Sequence, residues 1–223
     1  RSFAHFVARD EALVAQSGAT AKNKLRSHSF LRLSIETKGA ESDEFEWRDL
    51  TGHKVLRLLM LSGNFKMQPG DSLVTFSSLR TLFIESANFT ALLESVCQLK
   101  HLRYLSLRSC TDISRLPKNI HELKFLQHIN LEGCGGIVKL PDSIVKLRGL
   151  RYLSTNDTHV NSIPRGFRAL TNLWVLFGFP TYMDGDWCSL EELGPLSQLK
   201  ELGLKGLENV LEASSIAKAR VGA

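Results

Sequence analysis

Cys110 and Cys134, 24 residues apart, and the pair Cys97 and His101 are the first places in this 223-residue chain where metal or thiol chemistry would be sought. A tetrahedral metal site needs four convergent ligands, and a reactive thiol needs an exposed, electropositive setting that lowers its pKa. Cys97 and His101 have no second pair at a suitable spacing. Cys110 and Cys134 occupy equivalent points of an internal period at which Asn64 and Thr158 also fall, so these four residues read as a structural ladder of small polar groups bonded to buried backbone. Nucleotide and hydrolase signatures are missing: the chain has no G-x-x-x-x-G-K-[ST], no G-x-G-x-x-G opening a helix, no H-E-x-x-H and no G-x-S-x-G. The expectation is no catalytic centre, no metal and no cofactor in this segment. Two N-x-[ST] sequons, at Asn88 and Asn156, are close to the number that chance supplies, and a glycan on Asn156 would sit against the sheet inferred below.

Composition narrows the class further. With 43% hydrophobic and 23% charged residues the chain can bury a core, which excludes wholesale disorder. No apolar run reaches 18 residues, so no membrane span is expected. Four cysteines are too sparse for a disulfide scaffold, which favours a cytoplasmic setting. The net charge of +5 comes without a Lys/Arg run longer than two, so nucleic acid is not the expected partner. The opening Arg1-Ser2-Phe3-Ala4-His5 has neither an initiator Met nor a signal-peptide core and reads as a piece of a longer chain.

The elements that would position any site are repeats. Leu99, Leu102, Leu105, Leu107, Cys110, Ile113, Leu116-Pro117 and Ile120 are followed by the same frame from Leu123 and again from Leu147, with a fourth start at Leu170. That period and the pattern L-x-x-L-x-L-x-x-(N/C) identify leucine-rich repeats. Weaker copies lie at Leu56 to Leu61, Leu79 to Ile84, Leu173 to Phe177 and Leu199 to Leu204, with a degenerate first strand at Phe30 to Ile35. The expected fold is an α/β repeat solenoid: a leucine-rich repeat horseshoe with a curved parallel β-sheet on its concave face and short helical or irregular return segments. Residues 1–27 lead into the array, 28–207 hold about eight repeats, with an exposed acidic loop near 36–49 and an insertion near 180–189, and 208–223 form a helical, truncated end.

Stacking such strands in register lines up their outward residues. The first column is Leu58, Thr81, Tyr104, His128, Tyr152 and Val175; the second Met60, Phe83, Ser106, Asn130, Ser154 and Phe177; the third Ser62, Glu85, Arg108, Glu132, Asn156 and Phe179. Tyr104, His128 and Tyr152 would make an aromatic rail beside Glu85, Arg108 and Glu132, with Phe83, Asn130, Phe177 and Phe179 completing a partner-binding face. Between Leu99 and Gly178 twelve Lys and Arg stand against five Asp and Glu, a net of +7, so the remainder carries −2. Among these cations, Arg108, Lys118 and Lys139 are candidates for docking an acidic surface.

At Leu99-Lys-His-Leu-Arg-Tyr-Leu-Ser-Leu107, at Leu116-Pro-Lys-Asn-Ile120 and Leu140-Pro-Asp-Ser-Ile144, and at Leu199-Lys-Glu-Leu-Gly-Leu-Lys-Gly-Leu-Glu-Asn-Val210 the chain resembles the leucine-rich repeat region of plant intracellular immune receptors of the coiled-coil, nucleotide-binding type. The resemblance spans roughly residues 28 to 211. It implies a cytosolic, non-catalytic domain that senses a pathogen effector or a guarded host protein and holds a neighbouring nucleotide-binding module in its ADP-bound off state. That module is not in this segment, so ADP or ATP would belong upstream. The alternative is a cytosolic repeat scaffold for signalling proteins without a nucleotide switch; a third reading, an extracellular ectodomain, would be marked by a glycan at Asn88.

Overall fold

In Leu105-Ser106-Leu107 the alternation of a strand sends both leucines to one side, and both are fully buried. Repeated along the chain, this builds the molecule. The structure, a computed structural model, describes residues 12–16, 23, 25, 29–37, 47–63, 71–86, 89–184 and 187–209. The strands are β1 (Ala12–Gln16), β2 (Arg32–Glu36), β3 (Leu58–Ser62), β4 (Thr81–Glu85), β5 (Tyr104–Arg108), β6 (His128–Asn130), β7 (Tyr152–Ser154), β8 (Val175–Pro180), β9 (Met183–Asp184), β10 (Trp187–Cys188) and β11 (Glu201–Lys205). Among the described residues, β1 to β8 and β11 form one parallel sheet in chain order that does not close on itself, and β9 and β10 pair antiparallel in a separate hairpin. This is the leucine-rich repeat solenoid expected from the sequence.

Each L-x-x-L step is two chained turns. Leu99, Leu123 and Leu147 sit near φ −78° and ψ 67°, the centre of an inverse γ-turn. There the N–H of Lys100 donates to Gln98 O at 2.9 Å, that of Lys124 to Glu122 O at 3.0 Å and that of Arg148 to Lys146 O at 2.9 Å. The N–H of Leu102, Leu126 and Leu150 then donates to the carbonyl three residues back. Both leucines of the step therefore drop into the core while the chain swings into its strand. Upstream, two prolines close their returns: Ile120 N–H donates to Pro117 O and Ile144 N–H to Pro141 O, opening the short 3₁₀ turns Ile120–Glu122 and Asp142–Lys146. The core between sheet and returns is continuous, and its large anchors include Trp47, Phe76, Phe89, Phe167 and Phe179.

The structure departs from the sequence reading in several places. A strand, β1, stands where only a lead-in segment was expected, paired in register with β2 from Ala12 opposite Arg32 to Gln16 opposite Glu36. The stretch read as an exposed acidic loop ends in a buried anchor: Trp47 is 1% exposed, its Nε1 donates to Ser72 O at 3.2 Å and its ring meets Phe76 edge-on at 5.5 Å. The insertion after β8 is tied down. Ser189 Oγ donates to Pro180 O at 2.9 Å and accepts from Tyr182 N–H, while the Tyr182 hydroxyl donates to Ile163 O at 3.0 Å. Residues 38–46, Asn64, Asn88 and the expected C-terminal helix beyond residue 209 lie outside the described residues.

The clearest correction is Phe179. It was expected on the outward face but is 1% exposed, with its ring 5.4 Å from that of Phe167. The cause is Gly178, whose φ of +69° inserts an extra residue: Leu202 pairs with Leu176 but Leu204 pairs with Phe179. A bulge of this kind shifts the side-chain parity by one, so the residue after it turns inward. No other residue type fits at Gly178, because a Cβ there would lie 2.5 Å from the carbonyl carbon of Thr155. Gly178→Ala is expected to destabilise the protein by about 1–3 kcal/mol, whereas Gly149→Ala, whose Cβ would meet nothing closer than 3.7 Å, should change stability by no more than about 0.5 kcal/mol. Urea unfolding of both variants checks the difference; equal stability would refute the bulge.

Candidate functional site

The register places Tyr104 opposite His128 and His128 opposite Tyr152 on β5, β6 and β7. Neighbouring strands are about 4.8 Å apart, and planar rings at equivalent positions close the gap by lying face to face. The Tyr104 and His128 rings are 3.9 Å apart at 12°, and the His128 and Tyr152 rings 3.9 Å apart at 9°. Phe177 caps the stack edge-on, 6.3 Å from Tyr152 at 82°. Each such pair contributes about 0.5–1.5 kcal/mol beyond its area burial. The rings are half-buried and leave an edge to solvent.

Stacking fixes the chemistry of the rail. Burial pushes the His128 imidazole down to about 4, and its Nε2 has no hydrogen-bond partner. The ring is therefore neutral at physiological pH, and the rail is an uncharged aromatic strip. Burial, and then the neighbouring Tyr152, push the Tyr104 phenol above its ordinary value, with Arg108 pulling the other way.

Beside the rail, Arg108 lies between Glu85 at 3.8 Å and Glu132 at 3.5 Å. All three side chains are more than a third exposed, so the triad contributes only about 0–1 kcal/mol per pair. Its role is to present alternating charge at fixed places. Between the two columns the floor is made of Ser106, Asn130 and Ser154. Asn130, expected as a partner contact, is only 8% exposed and accepts a 3.0 Å hydrogen bond from Glu132 N–H through Oδ1. It is shorter than the residues two places before and after it, and a partner would meet them first. Phe83 and Phe177 remain half-buried on the face, whereas Phe179 is in the core.

The ladder residues are buried among backbone. The Cys110 thiol donates to Arg108 O at 3.4 Å, and the Cys134 thiol donates back to Leu107 O of the preceding repeat. Thr158 instead bonds within its own repeat, donating to Thr155 O at 2.7 Å and accepting from Val160 N–H. Burial pushes the Cys97 thiol up to about 11. Contact with Cys110, reinforced by burial, raises that of Cys134. Neither is an activated nucleophile. Among the described residues no three His, Cys, Asp or Glu converge to hold a metal, and no helix is long and apolar enough to cross a membrane.

The three cations expected to act together are parted. Arg108 belongs to the strand face, whereas Lys118 and Lys139 line one groove on the return side with Arg115 and Lys146. The sequence reading also missed an edge column one residue after each second leucine: Arg57, Arg80, Arg103, Gln127, Arg151, Trp174 and Lys200. There the Arg151 guanidinium lies 4.7 Å and the Lys200 ammonium 5.2 Å from the Trp174 ring centre. The signal was present, since these residues recur at the period of the leucines.

Residues 52–220 match a family model described as a leucine-rich repeat region. No curated protein matches the chain. Among solved structures the chain is similar to an internalin from Listeria monocytogenes, with 13% identity and a TM-score of 0.51 over 91% of this chain and 69% of that one. It is also similar to the leucine-rich repeat ectodomain of the plant membrane receptor kinase GASSHO1/SCHENGEN3 from Arabidopsis thaliana, with 18% identity and a TM-score of 0.58. That match covers 87% of this chain and 24% of the receptor chain, so this chain spans about a quarter of that length. At these identities the shared property is the fold.

The neutral state of His128 has a consequence in acid. An unfolded chain protonates this imidazole near 6.5 and the folded one only near 4, so between those values the unfolded state binds the extra proton and gains. The stabilisation is whole above about pH 6.5 and lost as pH falls through about 4. His53, whose imidazole burial also pushes down, adds in the same direction. His128→Phe is expected to keep the stack and to flatten part of the fall in melting temperature between pH 7 and 4.5. An NMR titration placing the His128 midpoint at 6 or above would contradict the buried stack.

Proposed function

This chain belongs to the leucine-rich repeat region family, and we propose that it is a non-catalytic protein-recognition domain that grips its partner on the strand face. The observation that carries the reading is the Tyr104, His128 and Tyr152 stack: rigid, neutral and half-exposed, flanked by Glu85, Arg108 and Glu132 on one side and by Phe83 and Phe177 near its ends. Large rings held in one geometry lose little entropy on binding, and fixed charges beside them select the partner. The receptor-kinase ectodomain solved in complex with Casparian strip integrity factor 2 supports ligand capture by this fold.

The finer proposal is that the domain serves a cytoplasmic plant disease resistance receptor, sensing a pathogen effector or a guarded host protein. The motifs at Leu99 to Leu107, Leu116 to Ile120 and Leu199 to Val210 support it. In that setting ADP or ATP is bound by an upstream nucleotide-binding module, and the exposed cations of the returns, Lys118 and Lys139 among them, face that module in the resting state.

Alanine at Tyr104, His128 and Tyr152 together, placed in the intact gene product, is expected to abolish the response to a co-expressed cognate effector while the protein accumulates and keeps its circular dichroism spectrum. An undiminished response from a folded triple variant would remove the strand face from the reading. The finer proposal is tested by the transcript upstream of Arg1, where a P-loop module is expected and a signal peptide would overturn it.

A further inference from the structure

We infer that the groove between the returns following β5 and β6 is a binding site for a small, multiply phosphorylated anion. The groove has a volume of about 580 Å³. Its geometry follows from the 24-residue period, which sets Leu116-Pro117 of one return beside Leu140-Pro141 of the next and Arg115 beside Lys139. Lys118 lies two residues past the first Leu, and Lys146 comes from the 3₁₀ turn Asp142–Lys146. Four cations thus share one cavity with a single carboxylate, Asp142. Among the described residues Lys118, Lys139 and Lys146 have no carboxylate within 4.0 Å, and Arg115 has only a loose contact with Glu94 at 3.9 Å between two largely exposed side chains.

Solubility accounts for scattered cations, not for four gathered around a cavity, where each raises the cost of the others until an anion arrives. Two further observations point the same way. His121 Nδ1 and Ser143 Oγ both belong to residues lining the groove, and both are buried atoms without a hydrogen-bond partner. Both atoms carry almost no accessible surface, so a ligand oxygen pairs with them only once the Ser143 hydroxyl and the His121 ring turn toward the groove. Lysine ammonium groups and an arginine fork are the donors that phosphate oxygens take. The volume exceeds that of one phosphate, and the apolar floor of Leu116, Leu140 and Pro141 suits a carbon body between the phosphates. This inference rests on the return side alone and is independent of the strand-face reading; an anion in the groove competes with a module docked on Lys118 and Lys139.

The test is calorimetric titration of the chain with inorganic tripolyphosphate at physiological salt. Saturable binding of one equivalent is expected, weakened about tenfold or more in Lys118→Ala/Lys139→Ala, since half of the charge-assisted contacts go. The double variant Arg57→Ala/Arg80→Ala, which removes the same charge from the sheet edge, should bind as the parent does, and Ser143→Ala should weaken binding a few-fold without changing the charge. Binding that does not saturate, or that falls equally in both double variants, would reduce the effect to a counterion cloud and overturn the site. Two competition arms identify the source. Displacement by tripolyphosphate from vesicles containing phosphatidylinositol bisphosphate supports the shared phosphate chemistry, whereas polyglutamate binding more tightly than tripolyphosphate would overturn it in favour of an acidic protein segment.

Discussion

One backbone hydrogen bond per repeat holds the rest of the structure in place. Just before each strand, an N–H donates to the equivalent carbonyl of the preceding repeat: Arg57 to Leu31, Arg80 to Arg57, Arg103 to Arg80, Gln127 to Arg103, Arg151 to Gln127, Trp174 to Arg151 and Lys200 to Trp174, all between 2.8 and 2.9 Å. The next N–H shares the same carbonyl at 3.0 to 3.1 Å. The bond closes the swing out of the L-x-x-L turns, so it enters with the strand already aligned. A slip of one residue would turn every leucine of a strand outward, and the buried core makes that costly. In-register columns follow, and with them everything the two faces do.

On the strand face the columns convert a one-dimensional sequence into stacked chemistry. Tyr104, His128 and Tyr152 are 24 residues apart in sequence and 3.9 Å apart in space. The same spacing sets Glu85, Arg108 and Glu132 side by side, where alternation of sign is favourable and three like charges would repel. On the return side the column logic gathers cations instead, because Arg115 and Lys139 share one position and Lys118 and Lys146 come from different ones.

How much of this was legible in the sequence follows from which constraint acted. Between Leu99 and Leu170 the leucine spacing is dictated by burial on both the strand and the returns, so the frame, the columns and the rail could all be read. β1 could not: Ala12-Leu-Val-Ala-Gln16 carries one inward Leu and no L-x-x-L step, and it pairs only because β2 offers a parallel edge. Phe179 was misplaced because alternation assumes an unbroken ladder, whereas a single positive φ at Gly178 resets it. The coverage of Asn130 depends on the lengths of its neighbours. The groove was invisible because, of its four cations, only Arg115 and Lys139 share an offset, and only the stacking of two returns brings all four around one cavity.

Gly178 also marks where the repeats cease to be interchangeable. Thr155 N–H donates to Phe177 O at 2.9 Å and its hydroxyl to Gly178 O at 2.8 Å; one repeat on, Thr181 N–H donates to Lys205 O at 2.9 Å and its hydroxyl reaches Gly206 O, with Gly206 at φ +74°. A threonine in one repeat and a left-handed glycine in the next thus form a matched pair that lies across the sheet. Near the other end Thr37, whose N–H and hydroxyl both donate to Ser62 O at 2.9 and 3.4 Å, lies against Gly63, at φ +91°. In a solenoid each repeat touches its neighbours, so a change in one outward column perturbs the adjacent strands and little else. In the middle of the array Ser109 stands against Gly133, at φ +75°, with its N–H donating to Glu132 O at 2.8 Å, so the left-handed glycine recurs there beside a smaller hydroxyl residue. The threonine and glycine pairs at the two ends bind neighbouring repeats by shape as well as by hydrogen bonds, and substitutions there act on the fold before they can act on recognition.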